Sequence, residues 1–592
     1  MHYLRMLTNS AIGGILLAAY LTILLLQLNP ALDLHSVSAV PTLLTWALFY
    51  GLHAAVAIYA LIGVCQILAV EVRSPGWVSF RLLAWLGAGA ASTGAALIWM
   101  NWRGFRAVLD PIVVRQMFVA AVVVSVCAVV CVVLALAQLS LAHRGRRIGA
   151  LLFLLVLIVS LVVPVSIRGL GTTPVLRARR LAIGMAPLSP ESVPRVAMIL
   201  LDGASLDFIS PAAAQGRLPN FGKLLDSGAV LHLATLRPTH PVPVWTAVAT
   251  GKLPYKNGVR SAATFKVTSA EQSLELLPDF CFAQALIRFG FMNEDLYASD
   301  AMAVRPLWNL LGSFGITTGI VGWPLTYPAP SVHGYLVSDQ ALRRPEDPAL
   351  PSLPDESPSV YPPELSEVVR DARLRASPDE DTLTLATAAV ASAEAGDGVL
   401  ESTGPLANDL AYERVAADLQ LVSPARFTAV RYQGLDVVGH YYLRYAAPRA
   451  FGDVSDDERR RFGRVLEQYY TFVDGIVGRA MDSLGPDGLL FVVSGFGMEP
   501  LSLGKRLLEH AVGDSALSGS HERAPDGFLI AYGRQVASGR LSRASVVDIV
   551  PTMLYLLGLP VARDMDGYAR TDIFTSAFTA QRPITFIPSY DR

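Results

Sequence analysis

Hydrophobic residues run almost unbroken through the first 165 positions; from about residue 187 onward they come only in short bursts between polar and Pro/Gly-rich stretches. Five apolar runs, near 7–28, 41–70, 82–100, 117–141 and 148–165, are long enough to cross a bilayer, which takes about 20 helical residues. They predict an all-α transmembrane region of five helices over 1–170, followed by a linker over 171–190. The first run is longer than the apolar core of a cleavable signal peptide, and no A-x-A site follows it, so it is expected to stay as a helix.

The remainder, 191–585, has a different rhythm. "RVAMILLDGAS" (195–205) is a buried-strand pattern ending in Asp202 and Gly203. "FTAVRYQGLD" (427–436) and "DGLLFVVSGFG" (487–497) repeat the design. Strands of this type with helical segments between them, such as 457–484, predict an α/β sheet flanked by helices. Such a sheet gathers its ligand chemistry where its strands end. The less regular stretch 259–418, with a Pro-rich piece at 344–363 and an Ala-rich one at 379–394, is expected to form a cap insertion.

Composition sharpens the division. Charged residues make up 16% of the 592, against about 25% in average soluble domains, which again places part of the chain in lipid. A net charge of −1 provides no basic field for nucleic acid, so no nucleic-acid partner is expected. Three of the four cysteines, Cys65, Cys127 and Cys131, lie in apolar runs and leave Cys281 alone, so no disulfide is expected in the polar part. The basic loop "HRGRR" (143–147) is expected to be cytoplasmic, which puts everything after residue 165 on the outer or periplasmic side. Arg103, Arg106, Arg115 and the basic run 168–180 weigh against that orientation. His53 is the one ionisable side chain well inside a predicted span and has no acid to relay to, so anchoring or assembly is the expected role of the helices.

Candidate chemistry lies in "GLDVVGHYY", where Asp436 and His440 stand four apart, either on one helical face or folded together in a loop, and in "GSHERAPDGFLI", which supplies His521. One carboxylate and two imidazoles with a fourth position open make a catalytic type of zinc site.

Read together, "MILLDGAS", "GRLPNFGKLLDSGA", "PVWTAVATGKLPYKNGV", "VGWPLTYPAP", "GLDVVGHYY", "VVSGFGM", "GSHERAPDGFLIAYG" and "VVDIVPTMLYLLGLPVARDMDG" make the polar part resemble the alkaline phosphatase superfamily, in its type I phosphodiesterase/nucleotide pyrophosphatase branch. The resemblance implies an alkaline-phosphatase-like sheet and two metal ions, usually zinc, around a threonine or serine nucleophile. It places Asp436, His440 and His521 on one metal, and Asp202 on the second together with an Asp-His pair from a "SDHG" loop. That loop reads Ser494, Gly495, Phe496, Gly497 here. Nine residues before Thr250, at the nucleophile's place, stands Pro241; Thr239 is two residues away and Thr246 five. A small loop shift would make Thr239 the catalytic hydroxyl. The family's "HG" is Asn257-Gly258.

One site is thus emptied while the other keeps every ligand, and one divalent metal, taken as zinc, is expected. The resemblance then implies a membrane-anchored phosphoric-ester hydrolase of phosphodiesterase/phosphatase type working with one metal, with Asp202 as base or orienting carboxylate. The alternatives are an inactive, membrane-tethered binding or assembly module with an unknown protein partner, which Phe496 favours by placing an apolar ring where charge belongs, or a lipid-headgroup phosphotransferase. Phe496 stacking on a nucleobase or lipid is a lesser reading. His232, His240, His333 and His510 are expected to be packed or solvated, Trp323 to be core, and Asp548 to cap a helix.

Overall fold

The computed structural model describes residues 2–68, 77–137, 143–168, 193–268, 270–279, 281–342, 358–376, 403–512 and 514–591. The expected linker 171–190 and the Ala-rich stretch 379–394 lie outside them, as does most of the Pro-rich one. The chain divides into two compact units, Met1–Val175 with Ala263–Leu296, and Leu176–Ala262 with Tyr297–Arg592.

The first unit contains α1 (His2–Leu28), α2 (Ala39–Leu68), α3 (Phe80–Phe105), α4 (Pro111–Ala137) and α5 (His143–Ser166), all long and apolar enough to cross a membrane. Several run past the apolar stretches that predict them, and polar side chains at or just beyond their ends find partners. In α3, Asn101 Nδ2 donates to the Asp279 carbonyl at 3.1 Å and its Oδ1 accepts from the Asp279 amide at 2.8 Å. Just past α1, Asn29 Nδ2 donates to the Leu276 carbonyl at 2.8 Å, while its Oδ1 accepts from the amides of Glu275 (2.8 Å) and Leu276 (3.0 Å). Both asparagines thus reach the segment 263–296, which lies within the stretch read as a cap. That segment forms a three-stranded antiparallel sheet, with Ala263–Val267 between Ser273–Leu274 and Met292–Leu296. Its Leu274, Leu276, Cys281, Leu286 and Met292 share one apolar cluster with residues of the helices. Arg168, just beyond α5, donates its Nη2 to the Leu32 carbonyl at 2.6 Å.

The second unit is built on a ten-stranded sheet. Val196–Leu201 lies at its centre, parallel to Leu489–Phe496 on one side and to Phe427–Tyr432 on the other. Thr318–Val321 and Gly334–Val337 continue the parallel array. These two strands also fall within the stretch read as a cap, so much of 259–418 is either main sheet or part of the membrane unit. Asp526–Tyr532 runs antiparallel between Leu489–Phe496 and Ala229–Ala234.

Alternation along the central strand explains the layering, because successive side chains point to opposite faces. Met198 and Leu200 join a cluster with Trp245, Phe491, Val493 and Leu529, whereas Ile199 and Leu201 join Val492, Phe528, Ile530 and Val473 on the other face. Each fully buried aliphatic side chain of this kind contributes roughly 1.5–3 kcal/mol. The segment read as one helix over 457–484 is two, Asp456–Phe462 and Val465–Ser483. Leu201 is in register with both Tyr432 and Ser494, so the three strand ends read from the sequence do reach one rim.

Candidate metal centre

Asp436 and His440 rise from the helix Gly434–Ala446, which starts two residues after the strand Phe427–Tyr432. The start is held by Asp409, a buried acid whose carboxylate accepts the amides of Gln433 and Gly434 (both 3.0 Å) and the Tyr469 hydroxyl (2.8 Å). A side chain at Gly434 would place its Cβ 1.6 Å from the Tyr469 hydroxyl, so this position requires glycine. Four residues is about one helical turn, and Asp436 and His440 therefore share a face.

His521 comes from the loop between Gly519–Ser520 and Asp526–Tyr532. Its Nδ1 lies 2.8 Å from the Thr239 carbonyl, and His440 Nδ1 lies 2.8 Å from the Gly519 carbonyl. A carbonyl only accepts, so both Nδ1 atoms carry the proton and both Nε2 lone pairs are left to face inward. They stand 3.6 Å (His440) and 4.0 Å (His521) from Asp436 Oδ2. One donor atom from each of the three residues lies within 4.8 Å of the others, a set that could hold a metal ion. The other carboxylate oxygen, Asp436 Oδ1, is buried without a hydrogen-bond partner. An orphaned buried oxygen beside two oriented imidazoles fits a divalent cation, since imidazoles pinned through Nδ1 to carbonyls are how metal sites fix ring orientation.

Burial pushes the Asp436 carboxyl up, but the hydrogen bond with His440 and the fields of His521, His440 and Arg431 outweigh it and leave the acid below its ordinary range. For His440, burial pushes the ring down, and bonding to Asp436 more than reverses this. Both shifts express the attraction between this carboxylate and the neighbouring ring.

Asp202 does not join this group. It ends the central strand, 1% exposed, and its carboxylate is taken up by Arg431 and Trp245. Arg431 Nε donates to Oδ1 (3.2 Å) and Oδ2 (3.1 Å), Arg431 Nη2 donates to Oδ2, and Trp245 Nε1 donates to Oδ1 at 2.6 Å. Burial pushes the Arg431 guanidinium down, but the charge and hydrogen bonds of Asp202 hold it above its usual value. The cation facing Asp202 is a side chain.

The profile of the type I phosphodiesterase/nucleotide pyrophosphatase family matches residues 196–540, more than half of the 592 in the chain. The chain belongs to that family. It therefore falls within the alkaline phosphatase superfamily, as its mixed α/β sheet also indicates. Comparison with curated proteins gives no match.

Family members typically depend on divalent metal, and here the Asp436, His440, His521 cluster could hold one. The loop to which the resemblance assigns the second ion is closed. A Cβ on Gly495 would lie 2.6 Å from Val244 Cγ1 and 3.7 Å from the Trp245 ring. Phe496 is 0% exposed, with its ring centroid 5.1 Å from that of His521, so it is packed against a candidate ligand and gives no accessible face for a base or lipid to stack on. Ser494 Oγ donates to the carbonyls of Ala204 (3.0 Å) and Phe496 (2.8 Å).

The nucleophile's place is equally occupied. Pro241 is the first residue of the helix Pro241–Thr250, where a missing N–H costs nothing. Thr239, the hydroxyl closest to it in sequence, is 0% exposed and donates its Oγ1 to the Leu236 carbonyl at 2.7 Å. It contributes its carbonyl to His521 and presents no nucleophile to the rim. Thr246 is likewise buried, its hydroxyl on the Val242 carbonyl at 2.7 Å.

His240 stands at the N-cap position of this helix without a side-chain capping bond, and burial of its ring, with the fields of His521 and Lys505, pushes its pKa down to about 4; His232, His333 and His510 are exposed. Trp323 is core, with its ring against Trp245 and Trp308. Asp548 closes a capping box with Ser545 and accepts the Tyr568 amide at 2.7 Å. Asn257 is buried between the Lys252 carbonyl and the Val259 amide.

The sequence reading missed Arg431, Asp409 and Trp245. Arg431 had a legible signal, a charged residue inside an apolar strand, because a buried cation demands a partner. Asp409 had none.

Proposed function

We propose that the polar unit is a phosphoric-ester hydrolase of the phosphodiesterase type that works with a single divalent ion, most simply zinc, held by Asp436, His440 and His521, and without a covalent intermediate. The supporting observation is the orphaned Asp436 Oδ1 beside two imidazoles whose Nδ1 atoms are committed to carbonyls. A divalent ion there would supply Lewis acidity toward a phosphate ester.

The chain's own groups do the rest. Arg431 neutralises Asp202, so that carboxylate neither repels an anionic ester nor serves as a free base. His240, at the start of the helix next to the residue that holds His521, has its pKa pushed down to about 4 by burial of its ring and by the fields of His521 and Lys505, so it stands neutral beside the site and has no proton to donate near neutral pH. With no hydroxyl at the nucleophile's place, water is the attacking group.

Two measurements on the full chain in detergent test this reading. Elemental analysis should give one zinc per chain, and an acid quench during turnover of a radiolabelled phosphodiester should leave no phosphoryl group on the protein. Two zincs, or a labelled threonine, would overturn it. Metal binding without turnover of any mono- or diester would instead favour the binding-module reading, which the buried Phe496 ring supports.

We further propose that this unit faces the outer or periplasmic side, from the odd number of long apolar helices among the described residues and the basic start of α5 at 143–147. A reporter fused after Ser166 that signals from the cytoplasm would reverse this.

A further inference from the structure

We propose that residues 281–292 form a lipid-contacting element that seats Phe282, Phe289 and Phe291 at the headgroup and acyl boundary of the bilayer beside α2.

The inner side of this element is fixed. Cys281, Ala283, Leu286 and Met292 belong to the apolar cluster of the membrane unit, and Tyr50 in α2 donates its hydroxyl to the Cys281 carbonyl at 2.6 Å. The outer side carries three phenylalanines, 61%, 62% and 47% exposed at positions 282, 289 and 291. Among the described residues six phenylalanines are exposed, and five of them, Phe80, Phe118 and these three, are in the membrane unit. The three are continuous with the outward face of α2. Phe291 meets Phe49 at a centroid distance of 5.6 Å, and Leu48, Leu52 and Val56 are exposed around that level of the helix. An apolar surface that continues the face of a spanning helix has the same solvent as that face, which is lipid.

Helix length sets the depth. The 30 residues of α2 extend about 45 Å, against about 30 Å of hydrocarbon. Its far end is exposed and apolar at Ile67 and Leu68, so the hydrocarbon reaches that end. About twenty residues back from Leu68 is Phe49, so a span counted from that end has its other edge near Phe49, with the exposed apolar Val40 and Leu44 beyond it. The element packs at the level where chain and solvent change character.

Its composition fits that level. Arg288, exposed among the phenylalanines, adds a cationic side chain on an apolar stem at that level. Asn293, Glu294 and Asp295 on the following strand are exposed and polar. Phe282 also holds φ +54, a left-handed conformation uncommon for an aromatic residue, and does so with its ring exposed.

The test uses the full chain in nanodiscs of phosphatidylcholine and phosphatidylglycerol. Cys65, the exposed native cysteine, is replaced by serine, and Phe289→Cys is labelled with an environment-sensitive fluorophore; Phe291→Cys provides a second site should the first variant misfold. Leu374→Cys, 74% exposed on the helix Ser366–Arg375 of the other unit, is the aqueous reference. The expected result is blue-shifted emission, strong quenching by lipids carrying a nitroxide near the headgroup, and several-fold weaker quenching by iodide than at position 374. Iodide quenching equal to the reference would overturn the proposal. A label shielded from both quenchers would also overturn it, in favour of a protein partner over this face.

Discussion

Replacing His440 with alanine is expected to abolish divalent-ion binding at the proposed site: on the single-metal reading, elemental analysis should fall from one metal per chain to none. The loss is large because the imidazole supplies one of only three donors. Even outer partners of such ligands change affinity by about 10- to 100-fold when removed, so loss of a ligand should exceed roughly 100-fold. With His440 gone, Asp436 keeps only His521 as a neighbouring donor, 4.0 Å from its Oδ2. Thermal melting provides an independent reading. A ligand at about 100 times its Kd stabilises the folded state by about 2.7 kcal/mol, so zinc should raise the wild-type Tm and leave that of His440→Ala unchanged. His510→Ala, on an exposed helical position, should behave as wild type. Full metal retention in His440→Ala would mean that the ion sits elsewhere.

Arg431→Met should be the most destabilising single change near the rim. It leaves Asp202, 1% exposed, without its counter-charge, and breaking a buried pair from one side costs about 3–5 kcal/mol. Against a total stability of about 5–15 kcal/mol, this is enough to lower the melting transition markedly. The double variant Asp202→Asn/Arg431→Met should recover much of the loss, because an amide oxygen still accepts from Trp245 Nε1 and no charge remains buried. A melt of Arg431→Met superimposable on wild type would show that Arg431 is not what balances Asp202.

These two variants separate what could and could not be read from the sequence. The spanning helices were legible because a run of apolar residues about one bilayer long has few alternative explanations. Their ends were less so, since helices such as α3 are extended by side chains like Asn101 whose partner is 178 residues away. The cap reading misjudged Thr318–Val321 and Gly334–Val337, strands of four residues that carry little periodicity of their own and form by pairing. The segment 263–296 read as irregular because its order comes from helices more than 150 residues earlier.

At the rim, Asp436, His440 and His521 share a signal that survives in sequence, the right residue types with two of them one helical turn apart. Asp202 illustrates the limit. An acid at the end of a central strand looks the same whether it faces a metal or a guanidinium, and the residue that decides is 229 positions away. Thr239 is a similar case: its hydroxyl stands near the nucleophile's place in sequence, but the backbone turns it onto Leu236.

The packing around Gly495 bears on what an engineered second ion site would need. Placing an acid at 495 and histidine at 496, the pair the resemblance assigns to a second ion, would drive a new Cβ to 2.6 Å from Val244 Cγ1 while Trp245 and Arg431 still hold Asp202. Each substitution alone would strain the packing until the helix facing it had also changed. Residues on three separate elements would have to be exchanged together, so this rim resists conversion one position at a time.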